Sequence, residues 1–349
     1  MKIRFMLLLL LFSNLLAAQQ VDQGKLDEFL NHISRNNLGA GSLSVFKDGK
    51  QVYNKDFGQE NISSNLPETY KYQVGSVTKL VTATLIFKLV EAGKLSLDDK
   101  LSNLFPKVPN AAKISIGHLL AHTSGLGSYV VKDGEVWVTE NVTEKEIFDL
   151  IAEQGVSFQP GEKVSYSNTA YYLLAKIVEA KYKMPYHKVV EQEIIKPLKL
   201  KSLASIKSGP ENVLKPYQFK DANWTMVKDI NFVNVIGVGD ICATPEELNI
   251  FMENLFRYKL INKSSLEKML PVIGRESWGR GIAEWDFEGL KFYGHGGDTL
   301  GSHAILIYDP KTRLSIAYTT NAERIKKEEF MAFIVKALQG KAFDYPTKG

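Results

Sequence analysis

Strand-like alternation sits at the two ends of this chain, and that placement limits the fold more than any other feature. Near the start, SLSVFKDGKQVYNKDFG alternates around an Asp48-Gly49 turn and reads as a β-hairpin. At the far end GRGIAEWDF, LKFYGHGG, SHAILIYD and LSIAYTTN read as successive strands, with Asp309-Pro310 marking one turn. A helix carrying Leu26, Phe29, Leu30 and Ile33 precedes the hairpin, and an amphipathic helix from Phe330 to Leu338 follows the last strand. The stretch between is mainly helical and rich in loops. The pattern predicts an α+β fold: one antiparallel sheet built from both termini, flanked by the terminal helices, with a mostly helical region inserted. The expected sheet domain spans 19–75 and 240–349, and the helical domain 76–239.

The opening residues MKIRFMLLLLLFSNLLAAQQ have a basic start, a short apolar run and Leu16-Ala17-Ala18 before Gln19. That is a secretory signal pattern over 1–18, with cleavage expected after Ala18 and a periplasmic or secreted location. The alternative, an uncleaved anchor, is disfavoured because the run is shorter than the roughly 20 residues a span needs. Without Lys2 and Arg4 the formal charge falls from +4 to +2, which gives no basis for a nucleic-acid partner or an anionic membrane. The single cysteine, Cys242, excludes an intramolecular disulfide. It lies in DICATPEEL, just ahead of a predicted capping box of Thr244 and Glu247 with Pro245 at the first helical position, and reads as a small buried residue.

A lysine marks the candidate chemistry. In QVGSVTKLVTATLIFKLVEAG, Lys79 sits one turn inside a helix whose Val77, Leu80, Val81, Leu85, Ile86, Leu89 and Val90 surround it with apolar residues. Desolvation and the positive end of the helix dipole both disfavour its charge. Ser76 is one turn away. Ser-x-x-Lys occurs three times here, so the motif alone says little, but context separates the copies. Ser44 and Lys47 lie on a strand, where positions three apart face opposite sides. Ser265 and Lys268 sit in the polar INKSSLEKML, where a serine near a helix start is most simply a cap. Only Ser76 and Lys79 share a helical face in an apolar setting, where the amine can shed its proton and take that of the hydroxyl. The alternative is a capping serine beside a lysine that snorkels to solvent.

Two further segments weigh against that alternative. Tyr166-Ser167-Asn168 precedes a helix with Leu173, Leu174, Ile177 and Val178, and His295-Gly296-Gly297 closes a strand. Together with Ser76-x-x-Lys79, with LLAHTSGL from Leu119 and with GDICATPEEL from Gly239, these motifs make nearly the whole mature chain resemble the penicillin-recognising serine hydrolases, in the branch of class C β-lactamases and DD-peptidases. The resemblance implies a β-lactamase/transpeptidase-like fold with the site in the cleft between its two domains. It implies Ser76 as acylated nucleophile, Lys79 as its proton partner and Tyr166 as an acid/base drawn toward phenolate by Lys79. Asn168 would bind the acyl-side amide, His295, Gly296 and Gly297 would form the third motif, and the N–H groups of Ser76 and Asp298 the oxyanion hole. No metal or organic cofactor is implied.

The departure is His295, where class C β-lactamases and many DD-peptidases resemble one another in carrying lysine. A histidine titrating near 6.5 offers a hydrogen bond more than a fixed charge, so anchoring of a substrate carboxylate is expected to fade above about pH 7, with Arg280 and Lys291 as possible sources of charge. His118 and His122, four apart, carry no adjacent glutamate and no third ligand, and a structural role is expected for both. The expected function is a serine hydrolase acting on a small peptide, β-lactam or ester, first as a DD-carboxypeptidase-like or D-amino-acid peptide hydrolase. An esterase or weak β-lactamase comes second, and a non-catalytic cell-wall peptide-binding protein is the rival of another class. Oligomeric state and host are not legible.

Overall fold

The two ends of the chain meet in one eight-stranded sheet. The computed structural model describes residues 22–63, 65–271 and 277–347, and the expected signal segment lies outside them. Six strands run in the order Ala283–Phe287, Leu290–Asp298, His303–Asp309, Leu314–Glu323, Gly39–Lys47, Lys50–Phe57, each antiparallel to its neighbour. The closing contact joins the first strand of the chain to the last, with Leu43 opposite Tyr318 and Val45 opposite Ile316.

Alternation along the central strands supplies two buried faces. Leu43, Val45, Ile305, Ile307 and Ile316 pack under the terminal helices Gln23–Arg35 and Lys327–Leu338, where Phe29 and Phe330 rings lie 5.0 Å apart. Ala304, Leu306 and Ala317 face the opposite way, toward the second core and the Pro245–Phe256 helix. Polar strand atoms on that side cannot reach water. Asn249 satisfies two of them, donating to Ser44 O at 2.9 Å and accepting from Ser315 Oγ at 2.7 Å.

The intervening stretch also contributes to the sheet. Tyr217–Lys220 and Asn223–Met226 form a hairpin that bridges in parallel from Tyr217 to Ala322. Its Asp221-Ala222 turn has positive φ at both residues, the geometry that matches strand twist, and Phe219 is covered by Trp224 and Arg324. Four-residue strands are too short to register as periodicity, which is why this hairpin was not expected.

The second core surrounds the Thr78–Glu91 helix, buried at 11 of its 14 positions and packed on the Asn168–Tyr182 helix. A small sheet of Tyr72–Gln73, Ile241–Ala243 and Ala204–Ser205 delivers the chain into that helix. Two capping expectations are corrected. Thr244 does cap its helix, but Glu247 does not reach back; its carboxylate accepts N–H bonds from Lys201, Ser202 and Leu203, tying the helix start to the preceding loop. Asn262, not Ser265, caps the Lys263–Met269 helix, while Ser265 is buried. Cys242 is buried as expected. Among the described residues no helix is long and apolar enough to cross a membrane.

Candidate active site

Two glycines bring two backbones together. Gly75, at φ +50°, opens the 3-10 turn Gly75–Val77, and a Cβ there would fall 2.6 Å from Asp298 N. Gly297 is its counterpart on the edge of the Leu290–Asp298 strand: a Cβ would fall 1.9 Å from Val74 O and 2.8 Å from Ser76 N. Contacts this short exclude any side chain, so the N–H-bearing backbones of Ser76 and Asp298 meet only because both positions are glycine.

Lys79 is fully buried. Its Nζ donates to Val238 O at 3.1 Å and lies 2.8 Å from Ser76 Oγ, and no carboxylate pairs with it among the described residues. Burial pushes its pKa well below the usual lysine value, which eases loss of its proton beside the serine. The loop supplying Val238 is itself fixed: Gly237 O accepts from Thr82 Oγ1 at 2.7 Å, and Gly237 N donates to the buried Asp240 carboxyl at 2.7 Å. Burial raises the Asp240 pKa to about 6, against the hydrogen bonds from Ser205 and Gly237.

Tyr166 enters from the turn before the Asn168–Tyr182 helix. Its ring lies 4.9 Å from Lys79 Nζ. Burial of the hydroxyl end raises the phenol pKa although 38% of the residue stays accessible, while the nearby Ser76 side chain acts in the opposite direction. The expectation of a tyrosine drawn toward phenolate by a charged lysine is therefore corrected: burial disfavours charge on both groups, which leaves a neutral phenol beside an amine. Asn168 is not a cap. Ser167 caps the helix, and Asn168 Nδ2 donates to Ser128 Oγ at 3.0 Å.

His122 and Trp278 complete the wall behind Tyr166. Their rings lie 4.5 and 5.3 Å from that of Tyr166, and the His295 ring stands 6.1 Å from Tyr166 and 5.3 Å from Trp278. His122 Nδ1 accepts from Ser167 N at 3.1 Å, and His118 Nδ1 accepts from Ser115 N at 3.2 Å, so each imidazole serves a different backbone group. Neither Trp278 nor the buttressing by His122 had a signal in the motifs. Val238 and Asp240 lay in or beside GDICATPEEL, whose spacing does not say what it holds.

His295 is buried, with Nδ1 2.5 Å from Gly296 O. Burial and the neighbouring Lys79 depress its pKa to about 3, so the expected loss of charge near pH 7 is corrected: the ring is already neutral there. Arg280 and Lys291 do not supply charge to it either. Arg280 donates to Lys268 O at 3.1 Å, and Lys291 pairs with Glu284 at 2.7 Å. The side chains beside the strand end are instead Lys327 and His303, each 2.7 Å from Asp298 Oδ1.

A cavity of about 160 Å³ opens at Ser76, lined also by Asn168, Asp298, Thr299 and a set of aliphatic residues. The comparisons with known proteins agree with this architecture. A putative penicillin-binding protein, PbpX, of Bacillus subtilis is 29% identical over 248 residues, 70% of this chain and 61% of that protein, so the chain spans less than two thirds of that relative. The octameric penicillin-binding protein homologue from Pyrococcus abyssi superposes with a TM-score of 0.77 at 27% identity, covering 92% of this chain and 78% of that one. A D-stereospecific amidohydrolase from Streptomyces superposes with a TM-score of 0.75 at 25% identity, covering 93% and 99%. The model of the Beta-lactamase family matches residues 18–341, and the chain belongs to that family.

Proposed function

We propose that this family hydrolase works through an acyl-enzyme on Ser76, cleaving an amide or ester whose reacting end carries no required carboxylate. One observation carries the proposal: a buried amine with no carboxylate partner among the described residues lies 2.8 Å from the Ser76 hydroxyl and 4.9 Å from the Tyr166 ring. Ser76 Oγ attacks the carbonyl carbon as its proton passes to Lys79. The oxyanion is held by the N–H groups of Ser76 and Asp298. Tyr166 then gives its proton to the departing nitrogen or oxygen as that bond breaks, and Lys79 returns a proton to Tyr166. Water attacks the ester by the reverse route, with Tyr166 and Lys79 taking its proton and Ser76 Oγ leaving reprotonated.

The likeness to a D-stereospecific amidohydrolase makes D-amino-acid amides and peptides the first substrates to try. Esters are the second class, favoured by the neutral, buried His295. A fluorophosphonate probe followed by intact mass tests the acyl-enzyme: one adduct is expected on the wild type and none on Ser76→Ala. No adduct on the wild type would leave a peptide-binding role instead.

A further inference from the structure

The wall of the Ser76 cavity is aliphatic. Val130, Val136 and Val138 line one side, Ile230, Val235 and Val238 another, and Leu300 the strand end. Among the described residues no lysine, arginine or histidine lines it. Its one titratable residue, Asp298, has its carboxylate committed to His303 and Lys327, and those partners hold it ionised below the usual carboxylate range. Thr299 Oγ1 is likewise engaged with Gln73 and Ser302. A substrate carboxylate placed here would lose its hydration with no cation of the lining in return, the nearby Lys327 being already paired with Asp298.

Geometry also says which half of the substrate this cavity receives. A leaving group must reach Tyr166, the proton donor, and Tyr166, Lys79 and His295 are not part of this lining. Asn168 and Ser76 are. The cavity therefore lies on the acyl side of the reacting carbonyl. Two of its aliphatic groups are not fully buried: Val136 is 43% exposed on the Val131–Lys132/Glu135–Val136 hairpin, and Ile230 is half-buried against the second core. An apolar side chain left open at a cleft mouth gains by being covered by an apolar ligand.

Resting on the acyl-enzyme proposed above, we infer that the enzyme selects an aliphatic acyl group that carries no carboxylate, gripped between the Val130–Val138 segment, Ile230 and Leu300. The test is kcat/KM for p-nitrophenyl esters from acetyl to octanoyl, with the adipoyl half-ester as the charged comparison. Each methylene is expected to raise kcat/KM about two- to four-fold until the chain outgrows the cavity, the range that burying a CH₂ allows. The adipoyl half-ester is expected to fall at least about ten-fold below hexanoyl.

Val136→Lys, on an exposed hairpin, and Ile230→Lys are expected to flatten the chain-length series and to narrow or reverse the gap between the charged and neutral esters. A flat series in a wild type that still forms the fluorophosphonate adduct, or a preference for the charged ester, would overturn the acyl-group assignment alone. Absence of both adduct and ester turnover would overturn it together with the acyl-enzyme.

Discussion

His122 holds both chain neighbours of Tyr166: its carbonyl accepts the N–H of Ser165 at 2.8 Å and its ring Nδ1 accepts the N–H of Ser167 at 3.1 Å. The residue itself sits in the left-handed region at φ 57°, at the end of a short helix. Tyr166, the proton donor proposed above, is thus aimed by an imidazole 4.5 Å from its ring. His122→Phe removes the ring acceptor and orphans a buried N–H, whereas asparagine keeps an acceptor and tolerates the backbone conformation. A loss of kcat of about 10- to 100-fold is expected for the phenylalanine variant with little change in KM, and a smaller loss for His122→Asn. Equal activity of the two variants would remove the positioning role.

The glycine pair lets two backbones touch at the N–H groups proposed to hold the oxyanion. Gly297→Ala forces the strand edge away from Val74 and Ser76. A drop of about 10²- to 10³-fold in kcat is expected, the cost of losing one oxyanion donor. Circular dichroism should show the sheet retained, and wild-type turnover in the variant would show that these N–H groups do not act.

Lys79 makes opposite contributions to stability and to catalysis. Its pKa is lowered in the folded state, so the unfolded chain binds a proton the folded chain refuses, and stability from this group rises with pH up to the ordinary lysine value of 10.5. Lys79→Met should therefore be more stable than the wild type at pH 7, with the advantage shrinking as pH rises toward that value. Acylation of Ser76 should fall by about 10²- to 10⁴-fold. Denaturant melts at several pH values and the rate of probe labelling measure the two effects separately.

Two buried histidines should make the fold sensitive to acid. The pKa of His295 is depressed to about 3, and that of His122 lies well below its ordinary value of 6.5. Below pH 6.5 the unfolded chain takes up protons that the folded chain does not, at about 1.4 kcal/mol per pH unit for each histidine. Stability should decline from that pH downward, less steeply in His295→Gln. Between pH 6 and 8 the shape of the rate profile should be the same in that variant and the wild type. An inflection near 6.5 lost in His295→Gln would show a titrating His295.

Asp240 fixes the loop whose Val238 carbonyl holds Lys79. Asp240→Ala leaves Gly237 N and Ser205 Oγ without their buried acceptor, and a loss of about 2–6 kcal/mol is expected, at roughly 1–3 for each unsatisfied group. Slower labelling of Ser76 should accompany it. Asparagine retains one acceptor and should lose less in both denaturation and labelling.

Local pattern fixed much of this molecule. Strand alternation at both ends predicted the shared sheet, and helical spacing set an apolar helix around Lys79 with Ser76 on its face, because side-chain direction repeats every two residues in a strand and about every 3.6 in a helix. Turn-sized features escaped. The Tyr217–Met226 hairpin is too short for periodicity, and Glu247 looked like a cap until a loop more than forty residues earlier in the chain claimed its carboxylate. Charge state and cavity chemistry belonged to tertiary structure alone. Whether His295 titrates, which side chains flank Asp298 and what lines the space beside Ser76 depend on atoms brought close from distant parts of the chain. Desolvation and Coulomb interactions depend on distance in space, which residue order does not record.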